Sequence, residues 1–317
     1  MDIKTMKECF IGIDVAKNSV AVHVRPDNLA FNCDTDPRSL TVLAARLKSL
    51  QPALVVLEAT GGYESIVAAA LAEAGLPVAI VNPRQTRKFA GAIGRLAKTD
   101  TIDAAVIAHF AEAVRPESRP LADAETQRLG ALLARRAQLV VMVSSEQQRP
   151  DRAADVQTRR SCATMLRGLK AETMRIEKLI DQQITASPVF QAKQDLLKSI
   201  PGIGDVVARV FIAELPELGT VDRHKIAALV GLAPINRDSG RSRGQRHIQG
   251  GRPQVRAPLY AACMSAIQHN PALKVFYQRL LAAGKVKQLA MIAAMRKLLT
   301  IANAVLRDNR PWDVARI

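Results

Sequence analysis

The stretch Cys9-Phe-Ile-Gly-Ile-Asp-Val-Ala-Lys-Asn-Ser-Val-Ala-Val-His-Val24 decides the fold. Its pattern predicts two short strands around an Ala-Lys-Asn-Ser turn. In the first strand Ile11, Ile13 and Val15 share one face, while Gly12 and Asp14 share the other. An ionised Asp within a core strand is costly unless it is paired or bound to metal. Further along, Leu40 to Leu50 has helical spacing. Leu54 to Leu57 is a continuous apolar run, suited to a strand buried on both faces, and it ends at Glu58. Ala59-Thr60-Gly61-Gly62 turns the chain into a helix from Tyr63 to Ala74, closed by Gly75. Val78 to Val81 reads as another buried strand, followed by Asn82-Pro83 and a basic segment with Arg84, Arg87, Lys88, Arg95 and Lys98. Strands alternating with helices predict an α/β layer with a mostly parallel centre. Ligand sites in such sheets gather beyond the carboxyl ends of the strands.

The segment Lys98-Thr-Asp-Thr-Ile-Asp103 opens the next helix. Thr99 or Asp100 can cap it, and Asp100 and Asp103 lie three apart on one helical face. Ala104, Ala105, Ile107, Ala108 and Ala111 form a stripe that would press onto a sheet. Two acids in a first turn also complement the helix dipole, so these six residues alone leave both readings open. With Asp14 and Glu58, however, four acids from three segments can converge. Such ligands suit a hard divalent ion, magnesium or manganese.

Residues 115–124 read as a linker. One long helix is marked by Leu129, Leu132, Leu133, Leu139, Val140 and Val143. A polar break at Glu146–Asp155 contains Pro150. A second helix runs from Cys162 to Ile184, with Met165, Leu169, Ile176, Leu179 and Ile180 at helical spacing. Such a hairpin can pair with another subunit or pack on its own chain. Leu196 to Glu214, with Ile-Pro-Gly-Ile-Gly at 200–204, has the form of a helix-hairpin-helix, with Ile200, Ile203, Val206 and Val207 tying the helices together. In it Gly202 and Gly204 would bring the turn close to a phosphate; an ordinary helical hairpin is the alternative. A short helix ends at Gly231, and the segment 236–252 then holds five arginines and four glycines with almost no apolar content. Arginine forks grip phosphate, and glycines let backbone follow a nucleic-acid strand; a disordered basic loop is the alternative. Ser239, set among guanidinium groups, is placed as a nucleophile toward phosphorus would need to be. The tail returns to helix at Val255–His269, Lys274–Ala283 and Gln288–Leu306. The division expected is 1–124, 125–195 and 196–317.

The 317 residues carry a net charge of +16. Residues 1–124 hold 14 Lys/Arg and 14 Asp/Glu, so the excess lies entirely downstream. A neutral first part joined to a basic second part suggests a bound polyanion. Cys9, Cys33, Cys162 and Cys263 form no Cys-x-x-Cys pair, so neither a zinc site nor a disulfide framework is indicated. No apolar run approaches the roughly 20 residues of a membrane span, and the N-terminus lacks a signal-peptide core, so a cytoplasmic protein is expected. No Walker motif or dinucleotide fingerprint occurs, and aromatics at 3% argue against base stacking on single strands.

These motifs resemble the insertion-sequence transposases of the DEDD class, also called bridge-RNA-guided recombinases. The first part matches through Ile-Gly-Ile-Asp-Val-Ala-Lys at 11–17, Glu-Ala-Thr-Gly-Gly-Tyr at 58–63, Val-Asn-Pro at 81–83 and Lys-Thr-Asp-x-x-Asp-Ala at 98–104. The second matches through Ile-Pro-Gly-Ile-Gly at 200–204, Leu-x-Gly-Leu-Ala-Pro at 229–234 and Ser-Gly-x-x-x-Gly at 239–244. Ile-x-x-Gly-Gly with a following arginine, from residue 248, fits loosely, with Arg256 one place early. The middle helices match weakly, and Arg149-Pro150 departs from the family's continuous helix. The resemblance implies an RuvC-like (RNase H-like) α/β domain, a helical hairpin and a mostly α transposase domain. It implies that Asp14, Glu58, Asp100 and Asp103 hold magnesium and that Ser239 forms a phosphoserine link to DNA. It further implies double-stranded DNA and a non-coding bridge RNA as partners, and a homodimer assembling to a tetramer. Lys98, Gly202, Gly204, Arg237, Arg241, Arg243, Arg246 and Arg252 are the expected nucleic-acid contacts. Ser242, in the same loop, is the competing serine. The other readings are a metal-dependent junction nuclease without serine chemistry, and a non-enzymatic nucleic-acid-binding protein.

Overall fold

A computed structural model describes residues 8–95, 100–118, 123–149, 155–236, 238–239, 242–244 and 246–314, with backbone alone for Asp100, Thr101, Ser242 and Arg243. The chain forms two compact units, Met1–Leu121 and Ala122–Ile317.

The first unit is built on one five-stranded sheet in the order β3-β2-β1-β4-β5. β1 (Phe10–Val15) pairs antiparallel with β2 (Ser19–Arg25), and β2 with β3 (Leu29–Asp34). β1 pairs parallel with β4 (Leu54–Glu58), and β4 with β5 (Val78–Val81). β3 is an addition to the expected elements. Four of its six residues are exposed and none is buried, so its composition carries little apolar signal.

The two faces of β1 sort as the alternation predicts. Ile11, Ile13 and Val15 join Val55, Leu57 and Val78 in a core closed by α1 (Pro37–Ser49) and α2 (Tyr63–Glu73). On the opposite face Phe10, Leu54, Val56, Ala79 and Val81 pack on Ile107, Phe110 and Ala111 of α4 (Asp100–Val114). Fully burying side chains the size of Ile107 and Phe110 contributes about 1.5–3 kcal/mol each. The basic segment after β5, read only as a charged stretch, is helical: α3 (Pro83–Ala92) starts on the Asn82 side chain, which accepts from Arg84 N at 2.9 Å. An Asn cap followed by Pro at the first position was the available signal.

In the second unit α5 (Ala124–Gln147) and α6 (Val156–Ala186) form an antiparallel hairpin. Gln183 Nε2 reaches Glu125 O at 2.5 Å, and Arg136 pairs with Glu177 at 2.7 Å. Asp123 and Asp155 cap the two helices, and the amides of Thr126 and Thr158 hold both carboxyls below their usual range. Two of the expected seam residues face solvent instead, Val140 and Met165. The first helix of the expected helix-hairpin-helix begins earlier than Leu196, as α7 (Pro188–Lys198), and precedes α8 (Asp205–Glu214), α9 (Arg223–Val230), α10 (Pro253–His269), α11 (Pro271–Ala282) and α12 (Lys287–Asp308). α12 corrects the membrane reading in one respect: it is long and apolar enough to cross a bilayer by length and composition. Ala290, Ala294, Leu298, Leu299 and Ala302 are instead buried in the unit's own core.

Candidate functional site

The acids of the first unit are positioned by register. Ile13 pairs with Leu57 across the parallel β1–β4 ladder. Asp14 and Glu58 are the next residues on each strand, at carboxyl ends that lie about 4.8 Å apart. Both alternate onto the face that α4 covers. α4 runs antiparallel to β1: Glu112, near its C-terminus, pairs with Arg25, which lies opposite Phe10 at the start of β1. The N-terminal end of α4, with Asp100 and Asp103, therefore lies toward the Asp14 end of β1. Gly12 makes this approach possible. A Cβ there would stand 2.1 Å from Ala108 N and 2.4 Å from Ala104 O.

Glu58 is held in place. Thr86 Oγ1, buried on α3, donates to Glu58 Oε2 at 2.5 Å. The turn after it is fixed by Glu64, whose carboxylate accepts from Thr60 N at 2.9 Å and Gly62 N at 2.8 Å. Gly61 and Gly62 take φ of 67° and 108°, where L side chains are strained. Thr86 was not found in the sequence, because a threonine in a basic helix has no distinguishing pattern. Among the described residues, no three His, Cys, Asp or Glu side chains are gathered as a metal cluster. The side chain of Asp100 and all of Lys98 lie outside the described residues. What the described residues provide is two acids at the carboxyl ends of adjacent strands with Asp103 on the neighbouring helix, residue types that suit a hard cation.

In the second unit the arginine-rich segment is a β-hairpin, not an irregular loop. β6 (Pro234–Ile235) pairs with β9 (His247–Ile248), and above it β7 (Asp238–Ser239) pairs with β8 (Ser242–Arg243). Ser239 lies directly opposite Ser242 at the last rung, and Asp238 opposite Arg243. Ser239 is exposed. Arg246 is also exposed, with Asp238 3.9 Å away. Arg237 and Arg241 lie outside the described residues. No cysteine competes as nucleophile on electrostatic grounds: burial raises all four thiol pKa values, that of Cys263 to about 12.

Three residue groups read as nucleic-acid contacts have structural work. Gly202, at φ 103°, packs so closely on α10 that a Cβ would meet Ala266 Cβ at 2.4 Å. Gly204 is exposed and precedes α8, but Asp205 already occupies that first turn and pairs with Lys198 at 2.7 Å, which holds its carboxyl below the usual range. Ile200, Ile203 and Val207 join α7 to α8 as expected, whereas Val206 is exposed. Gly250 and Gly251 also serve packing. They press on Gly231, where a Cβ would stand 2.2 Å from Gly250 O, and Arg256 ties the same turn to Val230 O and Gly250 O.

Arg252 is committed in the same way. Its fork grips Glu217 through two 2.7 Å bonds, and Nη1 also donates to Glu214 O. With only 26% and 16% of the two side chains exposed, Arg252→Ala is expected to cost about 2 kcal/mol, because it strands a mostly buried carboxylate. For a unit of this size that lowers the melting temperature by roughly 5 °C. A DNA-contact role predicts the opposite result: an unchanged melting curve with weaker DNA binding.

Acidic strand ends in one unit and a basic serine hairpin in the other define a class of protein that handles phosphodiesters. Comparison with known proteins gives the family. Residues 11–155 match the DEDD transposase model of the IS110 type, and residues 194–278 match the model described as transposase, IS116/IS110/IS902 family. The chain is 30% identical to the pilin gene-inverting protein of Moraxella lacunata, over 97% of this chain and 98% of that one. The pilin gene-inverting protein of Moraxella bovis aligns with the same identity and coverage. An uncharacterized 44.8 kDa protein of insertion element IS116 from Streptomyces clavuligerus is 28% identical over 43% of this chain and 34% of its own length. The chain belongs to the IS116/IS110/IS902 transposase family and is a DNA transposase or recombinase. Transposases of the DEDD type typically depend on a divalent metal.

Proposed function

We propose that this transposase cleaves and rejoins double-stranded DNA through a covalent phosphoserine at Ser239, assisted by the acids Asp14, Glu58, Asp100 and Asp103. The observation that carries the reading is Ser239 itself, exposed on the last rung of an arginine-flanked hairpin. In the proposed step the Ser239 hydroxyl loses its proton as Oγ bonds to phosphorus. The bond from phosphorus to the deoxyribose oxygen breaks, and that oxygen leaves as a hydroxyl after taking up a proton. Attack by a hydroxyl of another strand reverses the exchange. The ester keeps the phosphodiester bond energy, so joining needs no nucleotide cofactor. Magnesium or manganese held by the four acids would supply charge stabilisation at the phosphoryl oxygens.

The strand order β3-β2-β1-β4-β5 supports an RuvC-like reading of the first unit, and the α7–α8 turn supports a helix-hairpin-helix. The exposed Val140, Val141, Met142 and Met165 on the α5–α6 hairpin support pairing with a second copy, and hence a dimer assembling to a tetramer. Division of the second unit into a hairpin (125–195) and a transposase part (196–317) belongs to the same reading, as does a bridge RNA that selects the DNA sites. The second reading is a metal-dependent junction nuclease that activates water.

Ser239 and Ser242 are separated by trapping. A nicked DNA substrate that loses its leaving strand is incubated with wild type, Ser239→Ala and Ser242→Ala, and the adduct is mapped by peptide mass. The adduct is expected on Ser239 in wild type and in Ser242→Ala, with none in Ser239→Ala. Cleavage by Ser239→Ala at the wild-type rate would establish the nuclease reading instead.

A further inference from the structure

At the foot of the serine hairpin the second unit carries an open groove of about 1200 Å³, walled by α9, the β6–β9 rung and α12. Six basic side chains line it: Arg223, His224, Arg246, His247, Arg296 and Lys297. Among the described residues lining it there is no Asp or Glu. The nearby Asp222 is turned to backbone, accepting from His224 N at 2.7 Å and Lys225 N at 3.0 Å. His224 sits with one ring nitrogen 3.3 Å from Arg223 Nε and the other 3.4 Å from Arg296 Nη2. A neutral imidazole accepts at one nitrogen and an imidazolium at none. The trio thus holds more donors than acceptors, a surplus that an anion satisfies.

The groove is shaped for backbone rather than base. Phe276, its aromatic residue, has Lys297 5.0 Å and Arg279 5.5 Å from the ring centroid, so the ring serves the cations and is not a stacking platform. Its size exceeds a site for one small ligand. It is also continuous with the hairpin, since Arg246 and His247 line it at the lower rung. Ser239 is four positions beyond Ile235 in the chain, so at most roughly 14 Å of chain separates them.

We infer that this groove is the track for the DNA backbone flanking the phosphate presented to Ser239. The inference rests on the reading of Ser239 as acting on DNA. Charge complementarity selects a polyanion, and continuity with the serine hairpin selects the DNA strand under reaction over other polyanions.

The test uses the full chain with a labelled DNA duplex spanning an element junction and, separately, a structured RNA of matched charge. The Arg296→Ala/Lys297→Ala variant is expected to lower the slope of log K against log salt by about one per residue removed. A photo-crosslinking amino acid at Leu289, an exposed residue of the groove wall, is expected to capture the duplex in an otherwise wild-type chain. An unchanged salt slope in a folded double variant overturns the inference, and so does a Leu289 crosslink that forms with RNA and not DNA. If circular dichroism shows the double variant unfolded, the Leu289 crosslink decides alone. Ser239→Ala is carried in parallel. Strand joining by that variant would end the serine reading, while the salt slope and crosslink would still decide whether the groove holds DNA.

Discussion

Asp14→Asn is expected to lower strand cleavage and joining by about 10³-fold or more, the scale of removing a preorganised charge at a reacting phosphate. The same variant should bind DNA within about twofold of wild type, because the basic excess that attracts DNA lies in the second unit. Its melting temperature should hold. Asn has the shape of Asp, and its amide oxygen can accept the bonds a carboxylate oxygen accepts. Loss of activity without loss of stability marks a residue kept for function rather than packing. Activity assays with magnesium and manganese, binding by anisotropy and thermal melts on one preparation decide it. Retained activity would leave Asp14 a structural acid. A fall in both activity and melting temperature would mean that Asp14 supports the sheet instead.

The legibility of this site in the sequence was uneven, for physical reasons. Asp14 and Glu58 were readable because strands alternate with period two and buried runs end abruptly, so an acid at either place stands out. The same logic does not reach β3, a mostly exposed edge strand, or α3, whose apolar content is too low to show a period. The serine segment looks like a loop in sequence for a related reason. A hairpin of two short ladders with little beyond Ile248 to bury leaves no hydrophobic pattern, and its strands are defined by backbone pairing alone. Arginines posed a different problem. Composition treats Arg246 and Arg252 alike, yet one is exposed beside the serine rung and the other is locked to Glu217. Partners distant in sequence make that difference. The groove residues Arg223, Arg296 and Lys297 carry no sequence signal for the same reason: they lie on two helices whose pattern is set by their apolar core faces.

Gly12→Ala is expected to be among the most damaging single-methyl changes in the first unit, costing about 3 kcal/mol. Backbone strain is not the cause, since Gly12 is not among the glycines with positive φ. Space is. The added Cβ would stand 2.1 Å from Ala108 N, 2.4 Å from Ala104 O and 2.7 Å from Ile107 C, all backbone atoms that no rotamer change can move. α4 must lift off the sheet, loosening Ile107, Phe110 and Ala111 from Phe10, Val56 and Val81. Ala108→Gly should not rescue the variant, because the clash is with backbone and not with the Ala108 methyl. Amide exchange is expected to quicken across β1 and α4 in both the single and the double variant, while α8 and α10 in the second unit keep their protection. Rescue by Ala108→Gly, or wild-type exchange in β1 and α4, would show that the helix does not rest on Gly12. Because α4 also carries Asp103 toward the Asp14 end of β1, lifting it should separate the acids and abolish strand joining even where the unit stays folded.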